Sequence, residues 1–220
     1  AIAICPKALS RSMSELATLN KSLSFLAAFA VVGALLAMAF LLVENQGKLQ
    51  EGALKVRKRA TAFAGAWLVA SVLNIFLTLA NILGTAFADA LERNTLRSFL
   101  TQVDLGQYLG VQTAMIAVIA LAIRFVRTVL AATILLLFSL ITLTIPVFQS
   151  HSASSGSHQL AIGSLVVHVV ALSLWVGGIF AIVALPDSDR KFALPRFSQM
   201  ALWTAIAVVV SGIANAWARL

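Results

Sequence analysis

The sequence predicts an all-α fold: a polytopic transmembrane helix bundle of about six spanning helices plus interfacial helices. Three observations carry this. Of 220 residues, 60% are hydrophobic and 11% charged, less than half the roughly 25% charge of a soluble domain. The apolar residues come in blocks of about 20, the length that carries a helix across a bilayer core. The cations gather in short connectors between those blocks, where topology signals sit. Helices are the form expected in lipid, because they pair their backbone polar groups internally.

Taken in order, residues 6–21 are polar, with Leu9, Met13, Leu16 and Leu19 at three- or four-residue steps, which predicts a short interfacial helix. The first span covers about 23–43 and is rich in small residues (Gly33, Ala34, Ala37, Ala39), as packed membrane helices are. A polar connector at 44–59 ends in Lys55-Val56-Arg57-Lys58-Arg59. The second span, about 60–84, carries Asn74 and Asn81, whose amides are expected to bond to neighbouring helices. Residues 85–104 read as a loop with an amphipathic helix at the interface, its apolar side formed by Phe87, Leu91, Leu96, Phe99 and Leu100. The third and fourth spans, about 105–123 and 128–148, flank a tight turn marked by Arg124 and Arg127. Pro146 falls near the end of the fourth, where a broken helical hydrogen bond is tolerable. The fifth span covers about 158–185, a connector 186–196, and the sixth about 197–217. The whole chain, 1–220, is expected to be one transmembrane domain and a fragment of a longer protein, opening like the tail of an earlier membrane helix.

Orientation follows from the cations. If the connectors at 44–59, 124–127 and 186–196 face the cytoplasm, they hold ten of the sixteen Lys and Arg residues, and tight connectors weigh most in the positive-inside rule. Both ends and the segment between the fourth and fifth spans then lie outside. The formal charge of +8 is accounted for in this way, so the bilayer is the expected partner and nucleic acid is not. Cys5 is the single cysteine, which excludes an intrachain disulfide and a cysteine-based metal cage.

All three histidines fall between the fourth span and the middle of the fifth: His151, His158 and His168. His151 and His158 flank a Ser/Ala/Gly linker on the outer face. His168 is ten residues further, about 15 Å down a helix, inside the hydrocarbon region where ionisable groups normally face a bundle interior or a polar cavity. Ten residues also turn His168 roughly 80° from His158, so one helix alone cannot aim both at a single ion. His168 and Trp175 share a face, with Gly177-Gly178 below them. Neutral imidazole binds copper, zinc, iron and nickel, and thioether sulfur prefers Cu(I). Met115, half-way down the third span, is the candidate soft partner. The candidate metal ligands are therefore His151, His158, His168 and Met115. No nucleotide-binding glycine loop, HExxH motif or intramembrane carboxylate pair is visible, and an enzyme is not expected.

The run His168-Val169-Val170-Ala171-Leu172-Ser173-Leu174-Trp175-Val176-Gly177-Gly178 resembles the signature helix of the CopD family of copper-resistance and copper-import membrane proteins, in which a histidine precedes a Trp-x-Gly-Gly group. Arg196-Phe197-Ser198 opening the next helix, and Ser211-Gly212-Ile213-Ala214-Asn215-Ala216-Trp217 near its outer end, are similar to that family's next helix and look closest to actinobacterial members. In those members a CopD-like half is often fused to a half resembling a cytochrome c oxidase assembly factor of the CtaG type. The specific likeness spans 151–220; the earlier spans agree in hydropathy and loop pattern.

The resemblance implies a multi-pass protein of a bacterial plasma membrane that transports copper, or delivers it for oxidase assembly or copper homeostasis. Its histidine loop would be extracytoplasmic, and its partners a copper ion and a periplasmic or extracellular copper chaperone or oxidase assembly factor. Two other readings stand beside it. A haem-binding electron carrier would need axial histidines on facing helices, and His168 is the single deep one. A ligand-free scaffold subunit of a respiratory complex would use its small-residue faces for docking alone.

Overall fold

A computed structural model describes residues 6–42, 49, 51–84, 91–149 and 158–218. Over these residues seven α-helices follow one another: α1 (Pro6–Leu36), α2 (Glu51–Leu83), α3 (Arg93–Gln102), α4 (Asp104–Ala122), α5 (Val129–Gln149), α6 (His158–Ala184) and α7 (Asp187–Trp217). A π-helical segment, Ala37–Leu41, extends α1, and a 3-10 turn, Ile123–Phe125, ends α4. Six of the described helices are long and apolar enough to cross a membrane: Ser14–Leu41, Gly52–Leu83, Asp104–Phe125, Val129–Phe148, Gln159–Ala184 and Asp187–Trp217. The protein is an all-α, multi-pass membrane bundle.

Helix α1 is its centre. Ala28, Val31, Val32, Leu35, Ala37, Met38 and Leu41 have no exposed surface, and the helix packs on α2, α5 and α6. The core continues through Trp67 of α2, Ile116 and Ile119 of α4 and Leu135 of α5. Helix α7 is peripheral. It packs on α6 and on the π-helical segment, and Leu202, Trp203, Val210 and Ile213 remain exposed.

Three helix boundaries depart from the sequence expectation. The polar stretch from Pro6 is continuous with the first span and not a separate interfacial helix. The basic run Lys55–Arg59 lies inside α2 and not in a connector. The stretch 187–196 belongs to α7, with Pro195 within the helix. The reason is common to all three. Hydropathy marks where a helix enters lipid, whereas helical hydrogen bonding continues through polar residues of good propensity such as Lys, Arg and Glu. The interfacial element is α3, where Phe99 is buried against Ile75, Leu79, Ala80 and Leu109, with Leu96 and Leu100 beside it.

Pro146 has a more specific consequence. Proline has no N–H, so the carbonyl of Thr142, four residues back, loses its helical donor. The Gln112 side chain of α4 supplies one instead, Nε2 donating to the Thr142 oxygen at 3.2 Å. Ser71 and Thr113 join α2 to α4 at 2.7 Å. Of the α2 amides expected to link helices, Asn74 Oδ1 is buried with no partner among the described residues; a second interhelical amide comes from α1, where Asn20 donates to the Ala70 carbonyl at 2.9 Å.

The basic connector residues meet at one end of the bundle and cap helix C-termini there. Arg57 Nη1 donates to the Val126 carbonyl at 2.8 Å, and Arg59 Nη1 to that of Ala184 at 2.9 Å. Arg196 Nη1 reaches the carbonyls of Phe40 and Leu41 at 3.4 and 3.2 Å. Arg190 takes Ile182, Val183 and Leu185 at 3.0, 3.3 and 2.9 Å. The last carbonyls of a helix lack intrahelical donors and carry the negative end of its dipole, so a guanidinium satisfies both needs. These cations are therefore structural caps as well as candidate topology signals.

Candidate metal centre

A two-residue link, Leu185 and Pro186, joins α6 to α7, so the two helices return antiparallel and pair along their length. Two glycines of α6 set how closely. A Cβ added at Gly177 would stand 2.9 Å from the Gly33 nitrogen and from the Phe29 carbonyl oxygen on α1. One added at Gly178 would collide with the Phe197 ring of α7 and lie 3.3 Å from Met200 Cε. The adjacent glycines thus wedge α6 against α1 on one side and α7 on the other, as small residues do at close membrane crossings.

Above that wedge, on the half of α6 that starts at His158, His168 turns toward α7 and is half-buried. Its Nδ1 lies 3.1 Å from the Val208 carbonyl oxygen and 3.2 Å from Ser211 Oγ. The Ser211 hydroxyl itself donates to carbonyls of its own helix, Ala207 and Val208. A carbonyl can only accept, so a neutral His168 carries its proton on Nδ1, shared between Val208 O and Ser211 Oγ, and leaves the Nε2 lone pair uncommitted. Gly212 faces the ring, and a Cβ there would make ordinary contact with it, 3.7 Å from Cε1. Backbone carbonyl and hydroxyl together form a seat that fixes tautomer and orientation, the arrangement that metal-ligating histidines use behind the metal.

The other candidates are placed as follows. His158 is the first residue of α6, ten residues and about 15 Å along the axis from His168. His151 lies outside the described residues. Met115 is half-buried on α4, which packs mainly on α2, α3 and α5, whereas α6 packs on α1, α5 and α7; Met115 and His168 therefore stand on helices that do not pack closely on each other. Trp175 is half-buried on α6. Among the described residues no three His, Cys, Asp or Glu side chains converge. Among the described residues, the geometry brings His168 together with Val208 and Ser211 of α7.

In the sequence, Ser211 and Gly212 stand out for their likeness to a family helix, and their role beneath His168 is hidden, since forty-three residues separate Ser211 from it. Asn215 belongs to the same run, but the sequence assigns it no role of its own; it stands one turn beyond Ser211, and its Oδ1 is buried without a partner among the described residues. The signal available is the four-residue spacing of two polar side chains on an otherwise apolar helix.

A family model described as copper resistance protein D-like, N-terminal domain, matches residues 13–160. The match runs from the first turns of α1 to the first turn of α6. It lies mainly on the spans whose likeness was legible in hydropathy and loop pattern, and overlaps the segment of specific resemblance at 151–160. No curated protein and no solved structure matches the chain. With most of the chain matched, and a six-span bundle to go with it, the protein belongs to the copper resistance protein D-like family.

Proposed function

We propose that this chain moves copper across, or delivers it within, a bacterial plasma membrane, with copper as cargo and no chemical transformation of it. The single observation that carries the reading is the seat of His168: Nδ1 is tied to Val208 and Ser211, leaving Nε2 as a neutral ligand within a membrane helix. Imidazole suits copper among several metals, and membership of the family selects copper from that group. In this reading His158 and His151 capture the ion at an extracytoplasmic entry and His168 receives it deeper. Met115 would join only at a later position along the path, since its helix and that of His168 do not pack closely on each other. Delivery to a chaperone or an oxidase assembly factor, including a fused half of the CtaG type, is the finer form of the same proposal.

The test is copper content of membranes from cells expressing the intact chain or a variant with all three histidines replaced. The intact chain is expected to raise copper content and the variant not to; equal content overturns the reading. An absorption spectrum of the purified protein separates the haem alternative, which requires a Soret band.

A further inference from the structure

A groove of ≈ 850 Å³ runs between α1, α2 and α6. Its floor is alanine, including Ala34, Ala60 and Ala181, all buried. Its walls include Phe63 and Phe180, which are exposed along the rim. It extends along α1 from Asn20 to Ala37, about 26 Å at 1.5 Å per residue, close to the full hydrocarbon thickness. An apolar groove on the outer wall of a membrane bundle will be filled by something, and the two ends differ. At the Asn20 end the amide is spent on the Ala70 carbonyl, and a single exposed cation, Lys21, adjoins it. At the other end stand Arg59 and, one helical turn away on the same face, Lys55, with Lys58 beside them; all three are exposed. Arg59 uses one N–H on Ala184 and keeps the rest of its five donors. The Asp189 carboxylate lies over Gly52, a turn before Lys55, and leaves this corner net positive.

We infer that this groove is a binding site for an anionic phospholipid of the leaflet at the connector end, one acyl chain lying over the alanine floor and the phosphate held by Arg59 and Lys55. A helix of a second copy fits less well. Close helix packing in membranes needs small residues on both faces, and the outward faces of α4, α5 and α7 carry Leu121, Leu130, Ile134, Leu137 and Trp203 instead. An acyl chain is thin enough to enter without such a partner face. Cations at a membrane surface attract anionic lipid, which gives the positive mouth its selectivity. The inference is independent of copper.

The experiment is native mass spectrometry of the full chain taken from vesicles of equal parts phosphatidylglycerol and phosphatidylcholine. One phosphatidylglycerol is expected to remain bound. Lys55→Gln with Arg59→Gln should lower retention about fivefold per charge removed. Ala184→Leu, at an exposed position lining the groove mouth, should abolish it with the charges intact, and Ala30→Leu, at a half-buried lining position, should do the same as a second filling variant. Retention that ignores the head group, or that survives both charge removal and filling, overturns the assignment. So does a lipid-free dimer that Ala184→Leu dissociates, which would make the groove the seat of a second copy.

Discussion

Gly33 of α1 and Gly177 of α6 meet backbone to backbone: a Cβ on either would fall against the main chain of the other. Neither helix can give way easily, because α1 is the buried centre of the bundle and α6 is wedged between it and α7. Gly177→Ala is therefore expected to lower stability by about 1–3 kcal/mol, the usual cost of overpacking. Gly65→Ala and Gly163→Ala, whose added methyls would meet nothing within 4 Å, should be neutral or gain up to about 1 kcal/mol from helix propensity. Thermal unfolding in one detergent compares all three; equal effects would contradict the close crossing.

The second prediction concerns Gln112. It is the donor for a carbonyl that Pro146 leaves without a helical one, and Thr142 is fully buried. Gln112→Leu keeps the bulk and removes the donor, so it should cost about 1–3 kcal/mol for the unsatisfied group. In a Pro146→Ala background the backbone N–H regained at that position restores the helical bond, and the same substitution should cost less. A double-mutant cycle on unfolding midpoints reads the difference, and strict additivity would show that the two residues are not linked.

Six spans were legible in the sequence because a helix in lipid must announce itself by about 20 apolar residues. The amphipathic α3 was legible because Leu96, Phe99 and Leu100 share a face. The start of α5 was legible from hydropathy, and the structure adds that Thr128 Oγ1 accepts from the Ala131 N–H there at 3.2 Å, as an N-cap does. What could not be read was set by contacts between distant elements. Arg59 and Arg190 read as topology signals, and that they also cap α6 depends on how α2 and α7 are packed beside its last turn. His168 stands out in the sequence as the one histidine deep in a span, but its seat on Val208 and Ser211 lies on another helix. Met115 stands out for its soft thioether and its depth, and neither says which neighbours its helix has.

The third prediction separates charge from geometry at such a cap. Arg190 reaches three carbonyls at the end of α6 and pairs with Asp187 at 3.1 Å. Lysine keeps the charge but not the planar fork that spans several acceptors. Arg190→Lys should cost about 1 kcal/mol, modest because the side chain is 40% exposed and the surrounding solvent screens it. Arg190→Gln should cost more. If Lys and Arg behave alike in unfolding midpoint, the residue acts through charge alone.

Copper bound per chain in purified protein, intact and with His168→Ala, tests the central claim most directly, with Ser211→Ala as the companion variant. The intact chain is predicted to hold about one ion, His168→Ala to hold none, and Ser211→Ala to bind about 10–100-fold more weakly, since the group behind a ligating histidine tunes its affinity by that much. Full copper occupancy in His168→Ala would contradict the account.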